Sequence, residues 1–82
     1  MINSELVGRI IRQCRKKKKI TQEVLSGLAA LDRTHYSKIE RGLRCPTIET
    51  IFKIAYALDM KPHELVKVIE EEIADEFYLS AD

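Results

Sequence analysis

Apolar residues return at helical spacing along the whole chain, and no alternating run bounded by turn residues reads as a strand. Asn3 or Ser4 can cap a first helix that gathers Val7, Ile11 and Cys14 on one face. It ends in the block Lys16–Lys19, whose charge suits the C-terminal end of a helix dipole. Thr21 is placed to cap a second helix, with Gln22 and Glu23 in its first turn and Val24, Leu25 and Leu28 facing inward. Asp32 caps a third, which Gly42 ends by supplying a residue free to turn left-handed. After the break at "CPT", Thr47 caps a fourth helix. Its stripe of Ile48, Ile51, Ile54, Ala55 and Leu58 is the strongest periodic signal in the chain. Pro62 opens a fifth, "KPHELVKVIEEEIADEF".

Linkers of a few residues make these helices packed neighbours, so the expected fold is all-α, a compact five-helix bundle. The connection Ala30–Asp32 forces the second and third helices to cross steeply, as in a helix-turn-helix. The third helix, "DRTHYSKIERG", is unusually polar for a packed element. Tyr36 and Ile39 can face the core, which leaves Arg33, Thr34, His35, Ser37, Lys38 and Arg41 outside. A DNA major groove about 12 Å wide accepts such a helix, and its N-terminal side chains then reach base edges.

Charge sharpens this reading. Residues 1–44 carry eleven basic side chains against four acidic ones, a balance of +7. Residues 45–82 carry three against nine, a balance of −6. The first half suits a polyanion and the second a different task. Eighty-two residues make one small domain, with a core over 5–69 and an acidic, partly apolar extension over 70–82. No run is long enough to span a bilayer and the N-terminus lacks a signal peptide, so the expected location is the cytoplasm. Cys14, Cys45, His35 and His63 are too scattered for a metal site, and no cofactor is expected. Local spacing offers neither a nucleophile–base pair nor a phosphate loop, so the chain does not read as an enzyme.

"TQEVLSGLAALDRTHYSKIERGLRCPTIETIFKIAYALDMKPHELV" resembles the Cro/phage-repressor-like, or Xre, helix-turn-helix family. "SKIERG" at its distance from "TQE", followed by a P-x-x-x-T-x-x-x-I-A-x-A-L run, carries the likeness, which extends from Val7 to about Leu65. The resemblance implies a lambda-repressor-like DNA-binding domain. It implies that Gln22 contacts the DNA backbone and braces the recognition helix. Arg33, Thr34, His35 and Lys38 would read bases and line the groove, with Arg41 and Arg44 near phosphates. It also implies that Arg15 and Glu40 form a mostly buried structural ion pair.

This chain departs from the family pattern in several places. Lys19, Ala30 and Asp59 stand where relatives commonly carry glycine. Tyr36 stands where Ile or Val is usual, which would hold the recognition helix slightly further from the core. Gly27 weakens the second helix.

Three function readings follow. The first is a sequence-specific transcription regulator acting as a homodimer on a palindromic operator. "LDRTHYSKIERG" is similar to controller proteins of restriction–modification systems and also to small phage-type repressors. The second is a DNA-binding antitoxin whose tail holds a toxin protein; the third is a helical protein-interaction module. For the dimer, the expected interface is the apolar side of the fifth helix and tail, Leu65, Ile69, Ile73, Phe77, Tyr78 and Leu79. Exposed on a monomer, those side chains would form a costly apolar patch.

Overall fold

The computed structural model describes the backbone of residues 2–79, with side chains to residue 74. Its elements are α1 (Ser4–Lys18), α2 (Gln22–Leu28), α3 (Arg33–Glu40), α4 (Ile48–Ala57) and α5 (Pro62–Leu79). Four of the starts are chemically marked. The Asn3 side chain accepts from the Glu5 and Leu6 amides at 2.9 and 3.2 Å. Thr21 accepts from Val24, Asp32 from His35 and Thr47 from Thr50, at 3.1, 3.0 and 3.2 Å. Each cap satisfies amides that the first turn leaves without an intrahelical partner. At the head of α5 the geometry is reversed: the Lys61 amide donates to the Glu64 carboxylate at 2.7 Å.

Three helix ends close through residues with a Cβ in the left-handed region: Lys19 at φ 63°, Ala30 at 55° and Asp59 at 58°. These are the three positions where the family pattern favours glycine. Each costs about 1–2 kcal/mol of backbone strain relative to an unstrained residue. Gly42, at φ 78°, turns the chain after α3 with no such penalty. It also lies against Glu5, so a side chain there would collide with the start of α1.

α1 packs on α3 and α5, α2 on α3 and α4, and α4 on α5. The shared core holds Ile11, Leu25, Tyr36, Ile39, Ile54 and Leu65, all fully buried. Burying each such aliphatic side chain stabilises the fold by about 1.5–3 kcal/mol. The crossing of α1 over α3 depends on Gly8. A Cβ there would sit 2.3 Å from the Ile39 carbonyl oxygen and 2.6 Å from that of Glu40.

Two features of the apolar pattern fall differently from expectation. Val24 and Leu28 are exposed, while Leu25 is buried as expected and Ser26 joins it on the inward face. With only seven residues, α2 has room for one narrow buried face, and the spacing of Val24 and Leu28 puts both outside it. Ile48 opens α4 ahead of the point where the stripe enters the core, and it too is exposed.

Candidate nucleic-acid interface

The turn between α2 and α3 is Ala29–Asp32, pinned by Ala30 N–H to the Gly27 carbonyl at 3.2 Å and Leu31 N–H to the Ser26 carbonyl at 2.9 Å. It delivers α3 with its first turn at the surface. At about 100° per residue, Arg33, Ser37, Arg41, Thr34 and Lys38 share one arc, while Ile39, Tyr36 and Glu40 share the opposite one. Burial follows that division. Arg33, Thr34 and Arg41 are exposed, Ser37 and Lys38 half-buried, and Tyr36, Ile39 and Glu40 buried. His35 lies at the border between the arcs and is half-buried. Arg44, in the loop after α3, is exposed.

The outer arc is free of carboxylates. Asp32 is engaged as the cap of α3, and Glu40 is turned inward. Among the described residues the ion pairs are Arg15–Glu40 and Lys53–Glu49, so Arg33, Lys38, Arg41 and Arg44 have no acidic partner there. Unpaired cations on one helix face produce a local field suited to an anionic backbone.

Beneath that face lies a buried polar hub. The Glu40 carboxylate accepts from Arg15 Nε at 2.6 Å and from the second terminal nitrogen, Nη2, at 3.1 Å. Gln22 Nε2 donates to it at 2.9 Å, and the Tyr36 hydroxyl donates to its Oε2. Arg15 spends Nη1 on the Ile20 carbonyl at 2.9 Å. No buried side-chain polar atom among the described residues lacks a partner. α1, α2 and α3 thus meet at one carboxylate. Burial alone pushes the Glu40 carboxyl up, but hydrogen bonds from Arg15, Tyr36 and Gln22 outweigh it and hold the group below its ordinary range. Burial drives the Tyr36 phenol strongly upward, with the adjacent carboxylate adding to the effect, so it remains a donor. The Arg15 guanidinium is held charged, mainly by its hydrogen bond to Glu40.

The family resemblance pairs Arg15 with Glu40 and has Gln22 brace the recognition helix, while Tyr36 reads only as core; the meeting of Gln22 and Tyr36 on the Glu40 carboxylate is added by the fold. The spacing of Tyr36 four residues from Glu40 was the available signal, because residues so spaced meet on a helix face.

Of the six residues expected at a dimer interface, Leu65 and Ile69 fall differently from expectation. Leu65 is fully buried and Ile69 is 7% exposed, both within the chain's own core. Side chains so covered have almost no surface to offer a second copy. Ile73 is half-buried against the same core. Phe77, Tyr78 and Leu79 lie outside the residues whose side chains are described. Exposed apolar groups gather elsewhere: Leu28, Phe52 and Tyr56 are 59%, 54% and 71% exposed. They line an open groove of about 760 Å³ between α4, the end of α2 and the start of α5.

A protein-family model described as "Helix-turn-helix" matches residues 11–65. The chain is 40% identical over 62 residues to control protein C.BamHI of Bacillus amyloliquefaciens, covering 74% of this chain and 76% of that protein. In structure it is similar to the restriction–modification controller protein C.AhdI from Aeromonas hydrophila. The TM-score is 0.74 at 37% identity, covering 79% of this chain and 98% of that one. It is also similar to the controller protein C.Esp1396I, with a TM-score of 0.80 at 31% identity, covering 90% and 97% of the two chains. C.Esp1396I has been solved bound to a 25 base-pair operator site, and as a tetramer with its natural 35 base-pair operator.

Proposed function

The chain belongs to the helix-turn-helix family, and from that premise we propose that it is a sequence-specific DNA-binding transcription regulator of the restriction–modification controller type. The observation that carries this reading is the acid-free basic arc of α3, held outward by a fully hydrogen-bonded hub beneath it. The similar controller proteins, one of them solved on operator DNA, support it. The relatives give no support to the antitoxin alternative. Residues 5–69 form the DNA-binding unit in this reading, and the cytoplasm is its working compartment. Among the described residues, no helix is long and apolar enough to cross a membrane.

In this mechanism α3 enters the major groove by its first turn. Arg33 and Lys38 meet the O6 and N7 acceptors of guanine, and the Thr34 methyl packs on a thymine methyl. His35 and Ser37 line the groove wall. Arg41 and Arg44 neutralise phosphates, which fixes register without reading sequence. Gln22 donates one amide proton inward to Glu40, and its second is available to a phosphate oxygen. A single module of this size covers limited DNA, so two copies related by a two-fold axis read half-sites about one helical turn apart. With Leu65 and Ile69 committed to the core, the dimer contact falls to apolar surface the chain leaves open.

Hydroxyl-radical footprinting on a bound duplex, combined with sedimentation of the complex, tests this. Two chains per site and a two-fold-symmetric footprint are expected. One chain protecting a lone half-site as strongly as the full site would refute the dimeric mode.

A further inference from the structure

We propose that the Tyr36 hydroxyl is a positioning group for DNA binding: acting through the Glu40 carboxylate, it holds the Gln22 carboxamide in the orientation that meets a phosphate. The proposal rests on the DNA-binding reading above and deepens it, because it assigns a role to a side chain that touches no DNA.

An ionised carboxylate offers about four lone-pair positions, and in this hub four donors fill them. The Arg15 fork takes one edge, placing Nε on Oε2 and Nη2 on Oε1. The two outer positions remain, one on each oxygen. Tyr36 fills the position on Oε2 and Gln22 the position on Oε1. Arg15 is itself anchored by the Ile20 carbonyl, so the fork is a fixed reference against which the carboxylate is oriented. Tyr36 therefore balances Gln22 across the carboxylate. Without its hydroxyl, Oε2 is a donor short in a site with little water, and the carboxylate tilts to recover one. Of the contacts on Oε1, the neutral amide of Gln22 is the weaker to hold against that tilt.

Gln22 is the first residue of α2 and is half-buried, so its carboxamide lies between hub and solvent. The planar amide carries two protons, and the one given to Glu40 sets the direction of the other. A glutamine anchored in this way surrenders little rotamer freedom when it binds a phosphate, whereas a loose one surrenders much. Tyr36 is fully buried with its ring in the core, so an aliphatic or phenylalanine side chain could fill the space but could not supply the donor. The upward shift of the phenol keeps it protonated throughout the working pH range.

The test is a double-mutant cycle of Tyr36→Phe and Gln22→Ala, read as operator affinity by fluorescence anisotropy at 10 °C, with folding of each variant checked by circular dichroism. Tyr36→Phe should weaken operator binding about fivefold, the equivalent of one hydrogen bond of pre-organisation. In the Gln22→Ala background it should change nothing. A purely structural hydroxyl would lower the melting temperature and leave both affinities unmoved, which overturns the proposal. Equal fivefold losses in both backgrounds overturn it as well, since the effect would then bypass Gln22. A wild-type chain with no operator preference refutes the DNA-binding reading itself, a result distinct from additivity with wild-type binding intact. Should Tyr36→Phe not fold, the Gln22 side-chain amide of the free wild-type protein gives the answer by NMR. One slowly exchanging proton supports the anchor, and two exchanging as fast as in free glutamine overturn it.

Discussion

Replacing Glu40 with alanine removes the acceptor at which α1, α2 and α3 meet. In the native chain that carboxylate takes four donors, two from Arg15 and one each from Gln22 and Tyr36. Arg15 is buried, with only Nη1 otherwise engaged, on the Ile20 carbonyl. In the variant, Nε and Nη2 of a charged guanidinium are left without partners in a site with little access to water. Breaking a buried pair from one side costs about 3–5 kcal/mol, mostly the penalty of the stranded charge. The Tyr36 hydroxyl, fully enclosed, adds an unsatisfied donor to the same side of the balance. A domain of this size shifts by about 4–8 °C for each kcal/mol, so the loss is on the order of 12 °C at the least. Small domains have only about 5–15 kcal/mol of stability in all, so the variant approaches the threshold of unfolding. Thermal denaturation followed by helix ellipticity at neutral pH measures it directly. A midpoint within about 2 °C of wild type would show that the hub is solvated and that the burial argument fails.

Acid provides an independent view of the same group. Folding holds Glu40 below its ordinary 4.5, so its contribution is present above that pH and is lost as the pH falls through the lowered value. Urea midpoints should drop on acidification below about pH 4.5, and less so in Glu40→Gln; a wild-type midpoint that rises there contradicts the linkage. The two helical glycines make opposite predictions for one substitution. Gly27→Ala meets nothing within 4 Å and should stabilise by about 0.4–1 kcal/mol, whereas Gly8→Ala drives a methyl into the α3 backbone and should cost about 1–3 kcal/mol. Chemical denaturation of both checks the pair, and a stabilising Gly8→Ala would mean that α1 and α3 are further apart than described. Arg33→Ala should cost about 1–3 kcal/mol of operator binding and relax preference at a single base pair. Equal weakening on operator and random duplex would make Arg33 a phosphate contact only.

The helix starts were legible because they are local. Asn3, Thr21, Asp32 and Thr47 sit directly before apolar-periodic runs, and a cap needs nothing further away than its own first turn. The polar arc of α3 was legible for the same reason, since Tyr36 and Ile39 leave a single way to orient the helix. Two short or terminal patterns misled. Across the seven residues of α2, Val24 and Leu28 look as inward as Leu25, and only packing against α3 and α4 decides among them. The apolar stripe of α5 shows that Leu65 and Ile69 will be covered, but not by what. α1 and α4 cover them, leaving almost none of their surface for a second copy. The hub was partly legible: the family resemblance paired Arg15 with Glu40, while the convergence of Gln22 and Tyr36 on the same carboxylate is a tertiary fact. The left-handed residues Lys19, Ala30 and Asp59 became interpretable only by contrast with the glycine that the family pattern favours there.

The central claim is that the outer arc of α3 reads a defined DNA sequence. Selection of bound molecules from a random duplex pool, followed by a salt titration of the winning sequence, tests it most directly. A two-fold-symmetric motif should emerge, with guanine-containing half-sites about one helical turn apart. Affinity for that motif should fall with salt at a log–log slope of about −0.9 for each phosphate neutralised, while Arg33→Ala selects a motif degenerate at one position in each half-site. A pool that emerges from selection unenriched, or a motif that survives intact in Arg33→Ala, Thr34→Ala and Lys38→Ala together, would contradict it.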